Sequence, residues 1–334
     1  MGLLDGGRPG WKGVVVLVAK LAASAGLMTF LFSHIPRTDL SATLRAADRN
    51  WLVGAFVLLL LSNVLGSYQW ERLLAAVDIR IPFWKVCSYY HVGLFFNNFL
   101  PAGIGGDIAR VVDASRHGPT RAAAISTVVL DRLIGTVALG GIALFTTLPA
   151  IDRFHLTLAY AAVVAFFASG VTLLWGVFHP GLLPALEGAL NRIGLGGLKP
   201  HLDDLAVRLG GFRDHRRLLV GLIAVAVVVQ IARVCVHVLV ARALHLAVPV
   251  PYFFLFVPLL AVIVSLPISF NGIGVREGAG ILLFGLVGVD SAGAFSLQFT
   301  TYLVAVAVSL IGALVFLARM PRRAARARQL RRTT

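Results

Sequence analysis

The chain has 334 residues, 58% of them hydrophobic and only 13% charged, about half the charged share of a soluble domain. Its apolar residues fall in uninterrupted runs, several longer than the roughly 18 residues that mark a spanning helix, which excludes a soluble fold. Thirty basic against fifteen acidic residues give a net charge of +15. No stretch interleaves aromatics with those basic residues, so the charge points away from nucleic acid and towards loops that face anionic lipid.

The first apolar run, 13–33, follows Arg8 and Lys12 and shows no small-residue cleavage pattern, so it is expected as an uncleaved first span. The loop 34–50 sets Arg37, Arg45 and Arg49 against Asp39 and Asp48 and reads as a short amphipathic helix on the outer surface. A second span comes next, over 51–70, with Trp70 and Glu71 as interfacial anchors.

The region 83–117 is apolar at first, then breaks at "NNFLPAGIGGDIARV", Asn97 to Val111. Further spans are expected at 121–148, 155–178, 218–244 and 292–318. Between the last two, the region 250–290 breaks at "SLPISFNGIGVREG", Ser265 to Gly278. Pro101 and Pro267 end helices, and the glycines permit tight backbone approach. Cys87 and Cys235 lie far apart in apolar runs, so neither a disulfide nor a metal site is expected.

Basic residues orient these elements. The tail 319–334 carries seven arginines and no acid, and the loop 179–217 carries Arg192, Lys199, Arg208, Arg213, Arg216 and Arg217. Both are expected on the cytoplasmic side. With the N-terminus also inside, the second span returns the chain to the cytoplasm, and Arg110, Arg116 and Arg121 keep it there. The region 83–117 must then enter and leave from one side, as a re-entrant hairpin. The same walk makes 250–290 a hairpin from the opposite side.

The order span, hairpin, span therefore occurs twice, over 51–148 and 218–318, in opposite orientation. Both breaks contain Gly-Ile-Gly, at Gly103–Gly105 and Gly272–Gly274, with Asp107 and Glu277 just beyond. The expected fold is an all-α polytopic membrane protein: six spanning helices plus two oppositely oriented re-entrant helical hairpins in an inverted repeat, forming one domain over 1–334.

Polar residues in such a fold must pair or face water. Helices starting near Gly105 and Gly274 would aim free N–H groups at the hairpin tips, an arrangement suited to a phosphate or carboxylate. Asn97, Asn98 and Asn271 are placed to cap those helices or touch a head group. Gly106 extends the glycine cluster of the first tip.

Asp107 and Arg110 share a helix face, while Arg276 and Glu277 are adjacent and point to different partners. Asp131 and Arg132 lie ten residues into a span, roughly 15 Å along it, where each unpaired charge costs about 2.5–3.5 kcal/mol. Asp131 is open to Arg110 or Arg276, and Arg132 to Glu277 or Asp107. Ion pairs that merely hold helices in register are as good a reading of this pair as a binding site. Gln230, Arg233 and His237 make one polar stripe on the 218–244 span, and Arg233, with no acid in its own helix, suits a lipid phosphate.

The three segments "FNNFLPAGIGGDIAR", "LDRLIG" and "LPISFNGIGVREG", taken in this order, resemble the lysylphosphatidylglycerol synthase transmembrane, or flippase-like, family over about 13–320. The resemblance implies a membrane domain that is either free-standing or fused to a cytoplasmic aminoacyl transferase whose lipid product it moves outward. The membrane part here leads into the Arg-rich tail, so a member without the transferase is expected. By motif position the resemblance marks Asn98, Pro101, Gly105, Gly106, Asp107 and Arg110, then Asp131 and Arg132, then Asn271, Gly274, Arg276 and Glu277. At the second motif the family more often has Glu-Arg, so Asp131 shortens the acid.

The leading expectation is a flippase for a phospholipid or lipid-linked head group. Arg110, Arg276 and Arg233 would bind its phosphate in a polar cavity where the hairpin tips meet. The alternative is a non-transporting partner that presents a lipid to a separate transferase. No Walker A, HExxH or paired-acid pattern supports an enzyme, no cofactor is implied, and a homo-oligomer stays open.

Overall fold

The computed structural model describes residues 45–99, 105–154, 157–178, 209–265 and 272–330, together with Gly26, Thr29 and Thr43. The first expected span (13–33) apart from Gly26 and Thr29, most of the loop 34–50, the positions Pro101 and Asn271, and the greater part of the loop 179–217 lie outside the described residues.

Among the described residues the α-helices longer than one turn are α1 (Arg49–Ala76), α2 (Phe83–Phe99), α3 (Gly105–Ala114), α4 (Arg121–Thr147), α5 (Thr157–Phe178), α6 (Arg216–Ala243), α7 (Val250–Ser265), α8 (Val275–Gly285) and α9 (Ser291–Leu330). No strand occurs among the described residues. Five helical segments are long and apolar enough to cross a membrane: Arg49–Ala76, Arg121–Ala150, Thr157–Gly176, Arg216–Ala243 and Ser291–Arg319. Four of them coincide, to within two residues at each end, with expected spans, and the fifth extends the expected 51–70 by six residues to Ala76. This is a multi-pass membrane protein.

Local chemistry sets several boundaries. Asp48 caps α1 by accepting a hydrogen bond from Asn50 N at 2.8 Å, and Thr120 caps α4 through Ala123 N at 3.1 Å. Asp78 and His245, at φ 59° and 57°, turn the chain just after α1 and α6. The basic tail is not a separate segment. α9 continues through it to Leu330.

The outer faces are apolar. Val53, Val57 and Leu61, spaced by four, are exposed along α1, and Leu303, Leu310, Leu314 and Leu317 make a similar stripe on α9. Stripes of this kind are the faces that lipid covers. Inside, Phe253, Phe256 and Phe284 pack with Val240, Ala55 and Leu297 in a core shared by α1, α6, α7, α8 and α9. A second core sets Leu73, Leu130 and Ile134 against Leu219, Leu222 and Ala226, joining α1, α4 and α6.

The packing is paired. α1 lies along α6. The short helices α2 and α3 form one hairpin, and α7 and α8 form the other. The second arm of each hairpin packs on the helix that comes after it, α3 on α4 and α8 on α9. The first arms cross over: α2 packs on α9, and α7 packs on α4.

Candidate functional site

The first hairpin closes tightly because two glycines face each other. A Cβ on Gly106 would collide with the Gly93 carbonyl oxygen, and one on Gly93 would press on the Arg110 side chain. The Gly106 N–H donates to Asn97 Oδ1 at 2.9 Å. This N–H group of the first turn is therefore satisfied from within the protein, and is not left open for an anion as the sequence suggested.

On its other side α3 packs on α4. Arg110, only 4% exposed, donates from Nη2 to Asp131 Oδ2 at 2.7 Å. Its guanidinium lies 4.2 Å from the Trp70 ring centre and 4.7 Å from that of Tyr90. Such contacts contribute about 2 kcal/mol or more each where water is excluded. Gln69 Nε2 donates to the other Asp131 oxygen at 2.8 Å. On the next residue of α4, Arg132 grips Asp107 with two bonds, Nε to Oδ2 at 3.1 Å and Nη2 to Oδ1 at 2.9 Å. This fork-on-carboxylate geometry is the strong form of the pair. Asp107 also sits 3.8 Å from Arg110, which links the two pairs into one network.

Above this network lies a cavity of about 250 Å³. α1 contributes Gly66 and Gln69, α2 contributes Tyr90, Gly93 and Asn97, and α3 contributes Arg110. α4 adds Asp131, Arg132 and Thr136, α6 adds Gln230 and Arg233, and Ser265 closes it from the end of α7. Gln230 Nε2 donates to the Gly135 carbonyl at 3.2 Å, which turns its Oε1 towards Arg233 Nη1 at 3.4 Å.

Among the residues singled out from sequence, Asn97, Arg110, Asp131, Arg132 and Arg233 line this one cavity. Asp107, Gly105 and Gly106 stand behind it in α3. Asn98 is half-buried in α2 outside the lining, and His237 lies one turn beyond Arg233 on α6 with Nδ1 3.0 Å from the Arg233 carbonyl oxygen. Gly274, Arg276 and Glu277 lie outside the lining as well. Gly274, at φ 83°, caps α8, and Glu277 Oε2 accepts its N–H at 2.7 Å. Arg276 stacks on Tyr302 at 4.8 Å. Among the described residues the lining is drawn from α1 to α6, with Ser265 at the start of the second break. The expected meeting of the two tips falls on residues 100–104 and 266–271, outside the described residues, and Glu277 caps its own helix.

Reading Trp70 as an interfacial anchor is also corrected. It is fully buried, donates from Nε1 to Thr127 at 3.1 Å, and supports Arg110. Sequence reasoning missed Gln69 and Tyr90. Their signal was weak: Gln69 is the neutral polar neighbour of Trp70, and Tyr90 sits in an aromatic run.

The sequence model of one protein family, described as the lysylphosphatidylglycerol synthase TM region, matches residues 17–313. The chain belongs to that family. The match takes in both hairpins and every residue of the cavity. No curated protein matches the chain. The lysylphosphatidylglycerol synthase family name refers to a synthase, and the matched part is its membrane region.

Proposed function

We propose that the protein translocates a phospholipid or lipid-linked head group across the cell membrane through the cavity above Arg110 and Asp131. The observation that carries this reading is the cavity itself: charged residues face open space inside an apolar helix bundle. Charges within spanning segments are costly and mark pathways by default. At ~30 Å³ per molecule the space holds roughly eight waters, enough for a head group while the chains stay in lipid.

The carboxylates argue against an enzyme. Both oxygens of Asp131 and both oxygens of Asp107 already accept hydrogen bonds from the protein. They are engaged in holding Arg110, Gln69 and Arg132.

The same reading makes the two hairpins re-entrant and the fold an inverted repeat, with both termini cytoplasmic. Helices α3 and α8, at 10 and 11 residues, reach about 15–17 Å, half the ~30 Å of hydrocarbon. The crossed packing of α2 on α9 and α7 on α4 is what an inverted repeat would give.

Two measurements test this. In proteoliposomes with fluorescent phospholipids, the protein should speed translocation, and Arg132→Gln and Arg233→Gln should each slow it about tenfold or more while Arg276→Gln does not. Lipid bound but never moved would favour the alternative, a membrane partner that presents lipid to a separate transferase. For topology, a cysteine at Ser115, in a background without Cys87 and Cys235, should resist a membrane-impermeant maleimide added outside whole cells. Labelling there would refute the re-entrant hairpin.

A further inference from the structure

The charges around the cavity do not balance. Three guanidinium groups line it, on Arg110, Arg132 and Arg233. Asp131 matches the first at 2.7 Å and Asp107 matches the second at 2.9 Å. Arg233 meets the neutral amide of Gln230, and no carboxylate among the described residues pairs with it. Three arginines against two aspartates leave one positive charge over.

The neutral groups lean the same way. Asn97 turns its oxygen to the Gly106 N–H, which leaves its amide N–H donors for the cavity. Donors and one surplus cation are what a phosphodiester monoanion requires.

We propose that the cavity selects a head group of one net negative charge, a phosphodiester whose remaining substituent is uncharged, and that Arg233 binds its phosphate. This rests on the reading of the cavity as a lipid head-group site. A zwitterionic head carries its own ammonium and leaves the surplus in place. A lysyl ester, whose ammonium groups outnumber its phosphate, adds to it. The favoured substrate therefore differs in charge from the lipid that the family is named for.

The experiment compares three probes in proteoliposomes: phosphatidylglycerol, phosphatidylethanolamine and lysylphosphatidylglycerol, each with a fluorescent acyl chain. Retention of the same lipids by the purified protein is followed by native mass spectrometry. Phosphatidylglycerol should be moved and retained about tenfold better than the others. Arg233→Gln should abolish that preference, and Arg233→Lys should restore part of it. Soluble glycerophosphoglycerol separates a lipid from a free phosphodiester, since only a site that takes the head group alone would be blocked by it at concentrations near those of the lipid.

Equal or better handling of lysylphosphatidylglycerol would overturn the charge assignment while leaving translocation intact. Selective retention with no movement of any probe would uphold the assignment and remove the translocation reading. Loss of all retention preference in the wild type would overturn the assignment, whatever moves.

Discussion

The two hairpins carry similar motifs and are wired differently. In the first, the charges reach across elements: Arg110 to Asp131, and Asp107 to Arg132, from α3 to α4. In the second, Glu277 turns back to cap its own helix and Arg276 lies on the Tyr302 ring of α9. The first hairpin therefore holds its neighbour through ion pairs beside a cavity. The second is held by packing, with Gly280 set against the fully buried Gln298. A Gly-Ile-Gly break followed by an acid places a hairpin in both halves. What the acid does is decided by whether a partner stands opposite.

The largest expected effect comes from breaking the wiring of the first hairpin. Asp131→Asn would leave buried Arg110 with only the more distant Asp107, 3.8 Å away, and removing one member of a buried pair costs up to about 3–5 kcal/mol. Glu277→Gln removes a charged cap from a helix that keeps its packing, a loss of about 0.5–2 kcal/mol. Thermal unfolding of the detergent-purified protein should show a clearly deeper fall for Asp131→Asn. Similar falls for both would mean that the halves are held alike.

A second contrast uses glycine. Gly106→Ala has no room, because the Gly93 carbonyl occupies the place of the new methyl group. Overpacking of this kind typically costs about 1–3 kcal/mol. At Gly278, in α8, a methyl group would meet nothing within 4 Å. Gly278→Ala should be neutral or slightly stabilising, since it favours the helix by up to ~1 kcal/mol. The same thermal measurement distinguishes them, and Gly106→Ala should also slow translocation by displacing Arg110.

How much of this was legible in the sequence depends on range. The spans were readable because each is set by its own composition, and the hairpins because Pro, Gly and the distribution of basic residues act locally. The cost of an unpaired charge narrowed Asp131 to Arg110 or Arg276 and Arg132 to Asp107 or Glu277. Choosing between them needed the packing of α3 on α4, which has no counterpart in linear spacing. Trp70 and Tyr90 were hidden for a related reason. A ring beside a span end looks like an interfacial anchor until the arginine it supports is known to lie 4.2 Å away.

The smallest expected effect concerns the crossed contacts between halves, which also differ. Where α2 meets α9 the contact ends in a polar lock: Arg319 bonds Ser88, reaches Asp113 Oδ2 at 3.3 Å and stacks on Tyr89 at 4.6 Å. Where α7 meets α4, apolar side chains of the main core make the contact. Arg319 is one-fifth exposed and Asp113 also faces Arg116 at 3.9 Å, so Arg319→Gln should lower the unfolding temperature less than Asp131→Asn does. Its effect should be local. Asp113 stands at the end of α3, so releasing it loosens the first hairpin alone. Amide exchange over 105–117 should quicken severalfold in Arg319→Gln, while exchange over 275–285 stays as in the wild type. Faster exchange in both hairpins would show that the lock braces the whole bundle, and the division between an ion-paired half and a packed half would have to be abandoned.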